Sequence, residues 1–347
     1  MTDRQFCINS YLMFRYVFDA NRCFDQRYPC RIVNLDFDRV PIKSADELID
    51  HLTRSISRAC EDGKTALALS GGIDSAILAR LVPAGTKAYT FRCVIPGRSV
   101  IDESSQAGKW ATICNLDHEV IDISWENIDG VVDELMVHKG APIHSIEAQI
   151  YIAAKKAKAS GFSRFMFGEN ADIIYGGMNG LLAKDWSYAE FVDRYSYVMP
   201  YKVLKHPEMI MEPFLNFEKS GKIDGHDFIN TYFRQEALGT YHNACDTAGI
   251  SFFGPYSETY LDAPIDYARI RGGESKYIIR EVFHRLYPDE MIPDKIPMPR
   301  PTSEWFAEWS GPVRDEFIPD CAVGLSGDQK WMLWALERFL NILDREK

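Results

Sequence analysis

The sequence has no apolar run approaching about 18 uninterrupted residues, the length that crosses a bilayer, and its start, MTDRQFCINSYLMFRY, has no charged-then-apolar leader. These absences leave no pattern for a membrane-spanning helix or a secretory signal, so the expected location is the cytoplasm, with no membrane partner. No CxxC pair occurs among the eight cysteines, Cys7, Cys23, Cys30, Cys60, Cys93, Cys114, Cys245 and Cys321. Neither a disulfide framework nor a zinc site is indicated, and most are expected to be buried thiols. There is no positive excess either: 39 Lys and Arg stand against 50 Asp and Glu, a formal charge of −11. Phosphate backbones are held by clustered cations, so a broad nucleic-acid surface is not expected, although a local basic pocket stays open. Internal repeats, low-complexity segments and long charge runs are also absent. What remains is a 347-residue, 46% hydrophobic chain, long enough for one large or two medium domains.

The pattern along the chain is alternating. YLMFRYVF (11–18) and RIVNLDF (31–37) suggest strands, and 45–62 has helical apolar spacing. From there, strands at 65–70, 87–95, 118–124 and 164–167 alternate with helices at 74–82, 103–115, 126–138 and 145–160. That order predicts an α/β fold with a parallel sheet and helices on both faces, which binds ligands at the C-terminal strand ends. Two glycine-bearing breaks, SGGIDS (70–75) and GENADIIYGG (168–177), fall at such ends. Residues 180–250 read as aromatic and helical.

In SGGIDS, Gly71 and Gly72 permit a tight strand-to-helix turn and close approach of an anion to backbone amides. Ser70 and Ser75 add hydroxyls, and the helix dipole favours negative charge there. Phosphate suits such a loop. Asp74 would repel a bare phosphate, so it makes better sense with a Mg²⁺ ion bridging it to phosphate oxygens; alternatively, Asp74 only caps the helix. Lys276 is expected in the first turn of a helix whose apolar face carries Ile278, Val282 and Leu286. A cation there opposes the helix dipole, so either an anion faces it or it is a solvated lysine beside Glu274.

SGGIDS matches the SGGxDS pyrophosphate loop of the ATP pyrophosphatase (PP-loop) superfamily. GENADIIYGGM (168–178) resembles the second signature of the asparagine synthetase-like family, and KYIIREVF (276–283), after Gly272 and Gly273, resembles the helix with its essential lysine. The chain therefore resembles the synthetase domain of asparagine synthetases and of β-lactam and carbapenam synthetases, from about residue 10 to the tryptophan of PTSEWF. The resemblance implies an ATP- and Mg²⁺-dependent, amide-forming ligase that adenylates a carboxylic acid, releases pyrophosphate and transfers the acyl group to ammonia or an amine. It implies that Ser70, Gly71, Gly72, Asp74 and Ser75 bind the nucleotide, Asp74 and Asp172 hold the metal, and Lys276 stabilises transition-state charge. Glu169 would handle the proton of the attacking amine, as in asparagine synthetases, whereas β-lactam synthetases have a tyrosine there within a Tyr-Glu dyad. Ile173 after Asp172 is closer to the β-lactam synthetase wording, so the signature is mixed.

The implied organisation is a lead-in over 1–62, a nucleotide-binding core over 63–180 and a mostly helical synthetase region with Lys276 over 181–347. Only 69 residues precede Ser70 and residue 2 is Thr2, so no glutaminase is expected; the nitrogen would come from free ammonia, a separate glutaminase or amine-supplying protein, a small-molecule amine or an amine of the substrate itself. A homo-oligomer is compatible with the sequence. His144, Ser145 and Glu147 in HKGAPIHSIEAQ (138–149) are further pocket candidates, with helix capping the alternative for Ser145. PGRSVIDESSQ (96–106) is expected to line the pocket, and 292–306 is either a lid or a surface loop. Competing readings are a thiolating PP-loop enzyme, which would want paired reactive cysteines and a basic surface, and a non-catalytic nucleotide-binding scaffold, which would be expected to lose Asp74, Glu169, Asp172 and Lys276.

Overall fold

A computed structural model, which describes residues 1–294, 296 and 298–345, has a five-stranded parallel sheet at its centre. In chain order the strands of the parallel sheets are β1 (Val40–Ile42), β2 (Thr65–Ala68), β3 (Lys87–Cys93), β4 (Asp117–Ile123), β5 (Arg164–Met166), β6 (Ser251–Phe253) and β7 (Thr259–Leu261), apart from a short antiparallel pair, Glu218–Lys219 with Lys222–Ile223. The central sheet runs β4-β3-β2-β5-β6, with Leu67 beside Ala88, Ala66 beside Phe165, and Phe165 beside Phe252. β1 and β7 form a separate parallel pair. The helices that matter here are α1 (Arg4–Phe14), α2 (Ala45–Cys60), α3 (Ile73–Leu81), α4 (Ser104–Ile113), α5 (Val132–Lys139), α6 (Glu147–Ala159), α7 (Arg234–Thr247), α8 (Tyr277–Leu286) and α9 (Gly327–Arg345). This is the α/β fold that the alternating pattern predicts.

The sheet is covered on both faces, and its strands show why. Every residue of β2 is buried, but alternate side chains enter different cores: Ala66, Ala68 and Phe165 join Tyr151 and Ala154 of α6, whereas Leu67 and Met166 join Leu52 of α2, Ile77 of α3 and Val282 of α8. α2 is held at its start by Ser44, whose hydroxyl accepts from the Glu47 amide, and it carries Asp46 and Glu47 in its first turn and Arg58 in its last. After β2 the chain moves outward to β3 and β4 on one side, then returns to β5 and β6 on the other. The carboxyl ends of β2 and β5 are therefore the switch point of the sheet, where the connections diverge and leave a crevice. Both glycine-bearing breaks leave from it.

Several local expectations are corrected. Residues 11–18 contain no strand: α1 runs to Phe14, with Phe6 through Phe14 all buried, and stops at Arg15 in the left-handed region (φ 69°). A helix buried on all sides lacks the polar stripe that would distinguish it from a buried strand. Residues 31–37 form no strand either; Arg31 donates to the Lys139 carbonyl, and the segment lies outside the sheet. The predicted helix 126–138 is two helices, Trp125–Asp129 and α5. β6, which reading the sequence missed, completes the sheet. No helix among the described residues is long and apolar enough to cross a membrane.

α5, α6 and α7 are tied by one buried polar knot. Lys139 Nζ lies 2.8 Å from Glu147 Oε2, Asn243 Nδ2 donates to Glu147 Oε1 at 2.5 Å, and His138 Nδ1 is 2.7 Å from Asn243 Oδ1. Burial pushes the Glu147 carboxyl upward, and the Lys139 ammonium opposes it. Removing one member of a buried pair leaves an uncompensated charge, so Lys139→Met is expected to lower stability by about 3–5 kcal/mol, and Lys139→Met/Glu147→Gln to recover part of that loss. Urea denaturation of both variants checks it; a single variant within about 1 kcal/mol of wild type would contradict a stabilising role for the pair.

Candidate active site

The β2 exit is closed by its own side chains. Ser75 Oγ accepts from the Ser70 amide (3.0 Å) and lies 2.9 Å from Ser70 Oγ and 3.1 Å from the Ser70 carbonyl, which pins the turn across five residues. Trp110 Nε1 of α4 donates to the Gly71 carbonyl at 3.0 Å. A Cβ at Gly71 would stand 3.1 Å from Gln106 Cβ and 3.2 Å from Glu103 Cβ, so the loop backbone lies directly against the start of α4. α3 begins at Ile73 with Gly72 as its N-cap and no side chain on its free amides, which leaves the helix start available to an anion.

Three charged residues from distant parts of the chain meet at this crevice. Lys276 Nζ lies 2.5 Å from Asp74 Oδ2 and 2.7 Å from Asp172 Oδ1. Lys276 is only 6% exposed; burial works against its charge, but the two carboxylates outweigh that and hold its pKa above the usual lysine value. It is not in the first turn of a helix as the sequence suggested. It precedes α8 as the N-cap, at φ 53° and ψ 39°, and this left-handed conformation belongs to the turn from which the side chain reaches the two aspartates. Asp172 leaves the β5 end, and the Gly177 amide donates to its carbonyl at 2.7 Å. A Cβ at Gly177 would overlap the Asp172 carboxylate and crowd the Lys276 stem, so only glycine fits there unstrained.

Glu169 lines the same cleft, with its side chain bonded to the Tyr241 hydroxyl of α7. Burial pushes its carboxyl up to about 7, and nearby Asp172 and Glu236 add to that rise. Tyr241 packs against Phe167, ring centres 5.0 Å apart. Gln149 of α6 faces the cleft nearby, 1% exposed, its Nε2 without a hydrogen-bond partner. The opposite wall comes from Ile292, Pro293, Ile296, Met298 and Pro299, and the whole cleft has a volume of about 520 Å³. That segment is anchored by Arg300, whose Nε and Nη2 meet Asp328 at 2.9 and 2.8 Å. Lys295 and Pro297, within the predicted lid, lie outside the described residues.

The structure thus brings Ser70, Gly72, Asp74, Ser75, Glu169, Asp172 and Lys276 to one cleft, with Gly71 behind its loop. His144, Ser145 and Glu147 do not reach it. His144 is buried, which together with Arg300, Arg15 and Lys139 lowers its pKa and keeps it neutral. Ser145 donates to Asp328 rather than capping α6, whose N-cap is Ile146, and Glu147 belongs to the buried knot. Of residues 96–106 only Glu103 lines the cleft, its carboxyl pushed up to about 7 by burial. Tyr241 and Gln149 were missed. Tyr241 sits in an aromatic-rich stretch with no motif around it, and Gln149 gains meaning only from its missing partner.

Asp74 and Asp172 offer carboxylate oxygens, the donor type Mg²⁺ takes. Among the described residues no third Asp, Glu, His or Cys joins them. A pair of this kind fits an ion that keeps several waters and completes its shell with phosphate oxygens.

The sequence model of the asparagine synthase family matches residues 47–238, more than half of the chain and the whole span from α2 through Tyr175 into α7. The chain belongs to the asparagine synthase family. This is a family of ATP-using amidating ligases, acting on carboxylates with ammonia or an amine. No curated protein matches the chain. Among solved structures, similarity is found to the NH3-dependent NAD synthetase from Campylobacter jejuni, at 16% identity, TM-score 0.30, covering 57% of this chain and 96% of that one. It is also found to NMN synthetase from Francisella tularensis, at 14% identity, TM-score 0.28, covering 74% and 99%.

Proposed function

We propose that this asparagine synthase family member activates a carboxylic acid as its acyl-adenylate and passes the acyl group to ammonia or an amine, releasing pyrophosphate and AMP. The observation that carries the reading is the buried Lys276 ammonium between Asp74 and Asp172, beside the loop suited to phosphate. In the first half-reaction a carboxylate oxygen attacks the α-phosphorus of ATP, the bond to the β-phosphate oxygen breaks, and pyrophosphate leaves against the free amides at the start of α3. Asp74 and Asp172 hold Mg²⁺, which when bound neutralises phosphate charge. Lys276, which lines the same cleft, offsets the charge that builds at the reacting phosphate. In the second half-reaction the amine nitrogen attacks the acyl carbon, the bond to AMP breaks, and Glu169 takes the amine proton.

In this reading residues 1–62 form the lead-in, 63–180 the nucleotide core and 181–347 the synthetase region. The nitrogen arrives as free ammonia, as an amine, or from a separate partner protein. The retained charges of Asp74, Glu169, Asp172 and Lys276 support an enzyme over a scaffold.

ATP–pyrophosphate exchange with Mg²⁺ across a panel of carboxylic acids tests the first step. Exchange is expected with one class of acid and to fall by at least about a hundredfold in Lys276→Ala and Asp74→Ala; exchange unchanged in both variants would refute the assignment. A base must be deprotonated to accept a proton, so the rate of amide formation should rise with pH through about 7, the value burial gives Glu169. Glu169→Gln should flatten that limb and slow amide formation by about 10²–10⁴ while exchange persists. An unchanged pH limb in the variant would remove Glu169 from the role.

A further inference from the structure

Away from the cleft, two guanidinium groups near residues 37–39 have no ion-pair partner among the described residues. Arg234, the first residue of α7, is 5% exposed, and both its Nε and its Nη2 are buried without a hydrogen-bond partner. Its guanidinium lies over the Phe37 ring, 5.5 Å from the centroid. Arg39, just before β1, lies over the Tyr260 ring of β7 at 5.6 Å and is close enough to add its own charge to the burden on Arg234. Among the described residues neither arginine forms an ion pair, although Asp36 and Asp38 flank Phe37 in the chain. Burial, and after it Arg39, pushes Arg234 down to about 10, and burial lowers Arg39 as well.

A guanidinium does not shed its proton at neutral pH, so it cannot escape burial by becoming neutral. A ring face gives a cation weak compensation and leaves its N–H groups unsatisfied. What satisfies two forks of N–H donors at once is an oxyanion. We propose that Arg234 and Arg39 form a binding site for the carboxylate or phosphate group of a small molecule, separate from the cleft that holds Lys276. Neither arginine lines that cleft. The site lies between the start of α7, the segment entering β1, and β7, so an anion bound there ties the 31–39 segment to the helix that carries Tyr241.

The test is isothermal titration and thermal unfolding of the full chain with inorganic phosphate and, separately, malonate, against potassium chloride at matched ionic strength. Saturable binding is expected for at least one oxyanion, weakened about tenfold or more in Arg234→Met and in Arg39→Met, since each removes a charge-assisted fork. Phosphate held by the loop at 70–75 is untouched by these variants, so the site's signal is the part of binding they remove. Loss of phosphate binding alone identifies a phosphoryl ligand, and loss of malonate binding alone a carboxylate. In chloride, Arg234→Met should melt at or above wild type, because an unpaired buried charge has gone. Equal binding by wild type and both variants would overturn the proposal. So would an Arg234→Met chain that melts well below wild type in chloride while Arg39→Met binds both anions normally.

Discussion

One ammonium group between two carboxylates fixes the rest of the site. Lys276, Asp74 and Asp172 come from the start of α8, the β2 exit and the β5 exit, and they meet within 2.5–2.7 Å, the lysine buried and the two aspartates partly open to the cleft. Burial works against the charge of the lysine, and the two carboxylates beside it outweigh that cost. The local backbone accompanies this contact: Lys276 is left-handed, and residue 177 is a glycine where any side chain would strike Asp172. The arrangement holds a charged ammonium in the cleft beside the β2 exit loop.

The sheet explains why these residues meet. β2 and β5 are neighbours whose connections leave in opposite directions, and the crevice between their ends receives the phosphate-suited loop from one strand and Glu169, Asn170 and Asp172 from the other. The far wall depends on interactions outside the cleft. The Lys139, Glu147 and Asn243 knot holds α6 against α7, which presents Gln149 and Tyr241 together, and the Arg300–Asp328 pair holds the apolar segment that faces them.

What was legible in the sequence was local. A strand, two glycines and an acid at a helix start are read from consecutive residues, and so are the second glycine-bearing break and the strand-helix alternation behind the α/β fold. What failed was whatever depends on a partner far along the chain. The helix α1 looks like a strand because its neighbours bury every residue from Phe6 to Phe14, and the strand β6 is recognisable only once β5 stands beside it. Lys276 drew notice as a misplaced cation, but the acids it meets, Asp74 and Asp172, lie about two hundred and one hundred residues away in the chain. Glu147 looked like a site acid because a carboxylate near a strand end has no sequence mark that separates catalysis from a buried pair, and Tyr241 had no motif at all.

The most direct test of adenylation follows one oxygen atom. With an acid substrate carrying a heavy oxygen isotope in its carboxylate, turnover in the presence of ATP, Mg²⁺ and ammonia or an amine should leave one labelled oxygen in AMP, because the attacking carboxylate oxygen stays on the α-phosphorus when the acyl group departs. Label found in inorganic phosphate, with ADP as the nucleotide product, would mean attack on the terminal phosphate and would contradict the account.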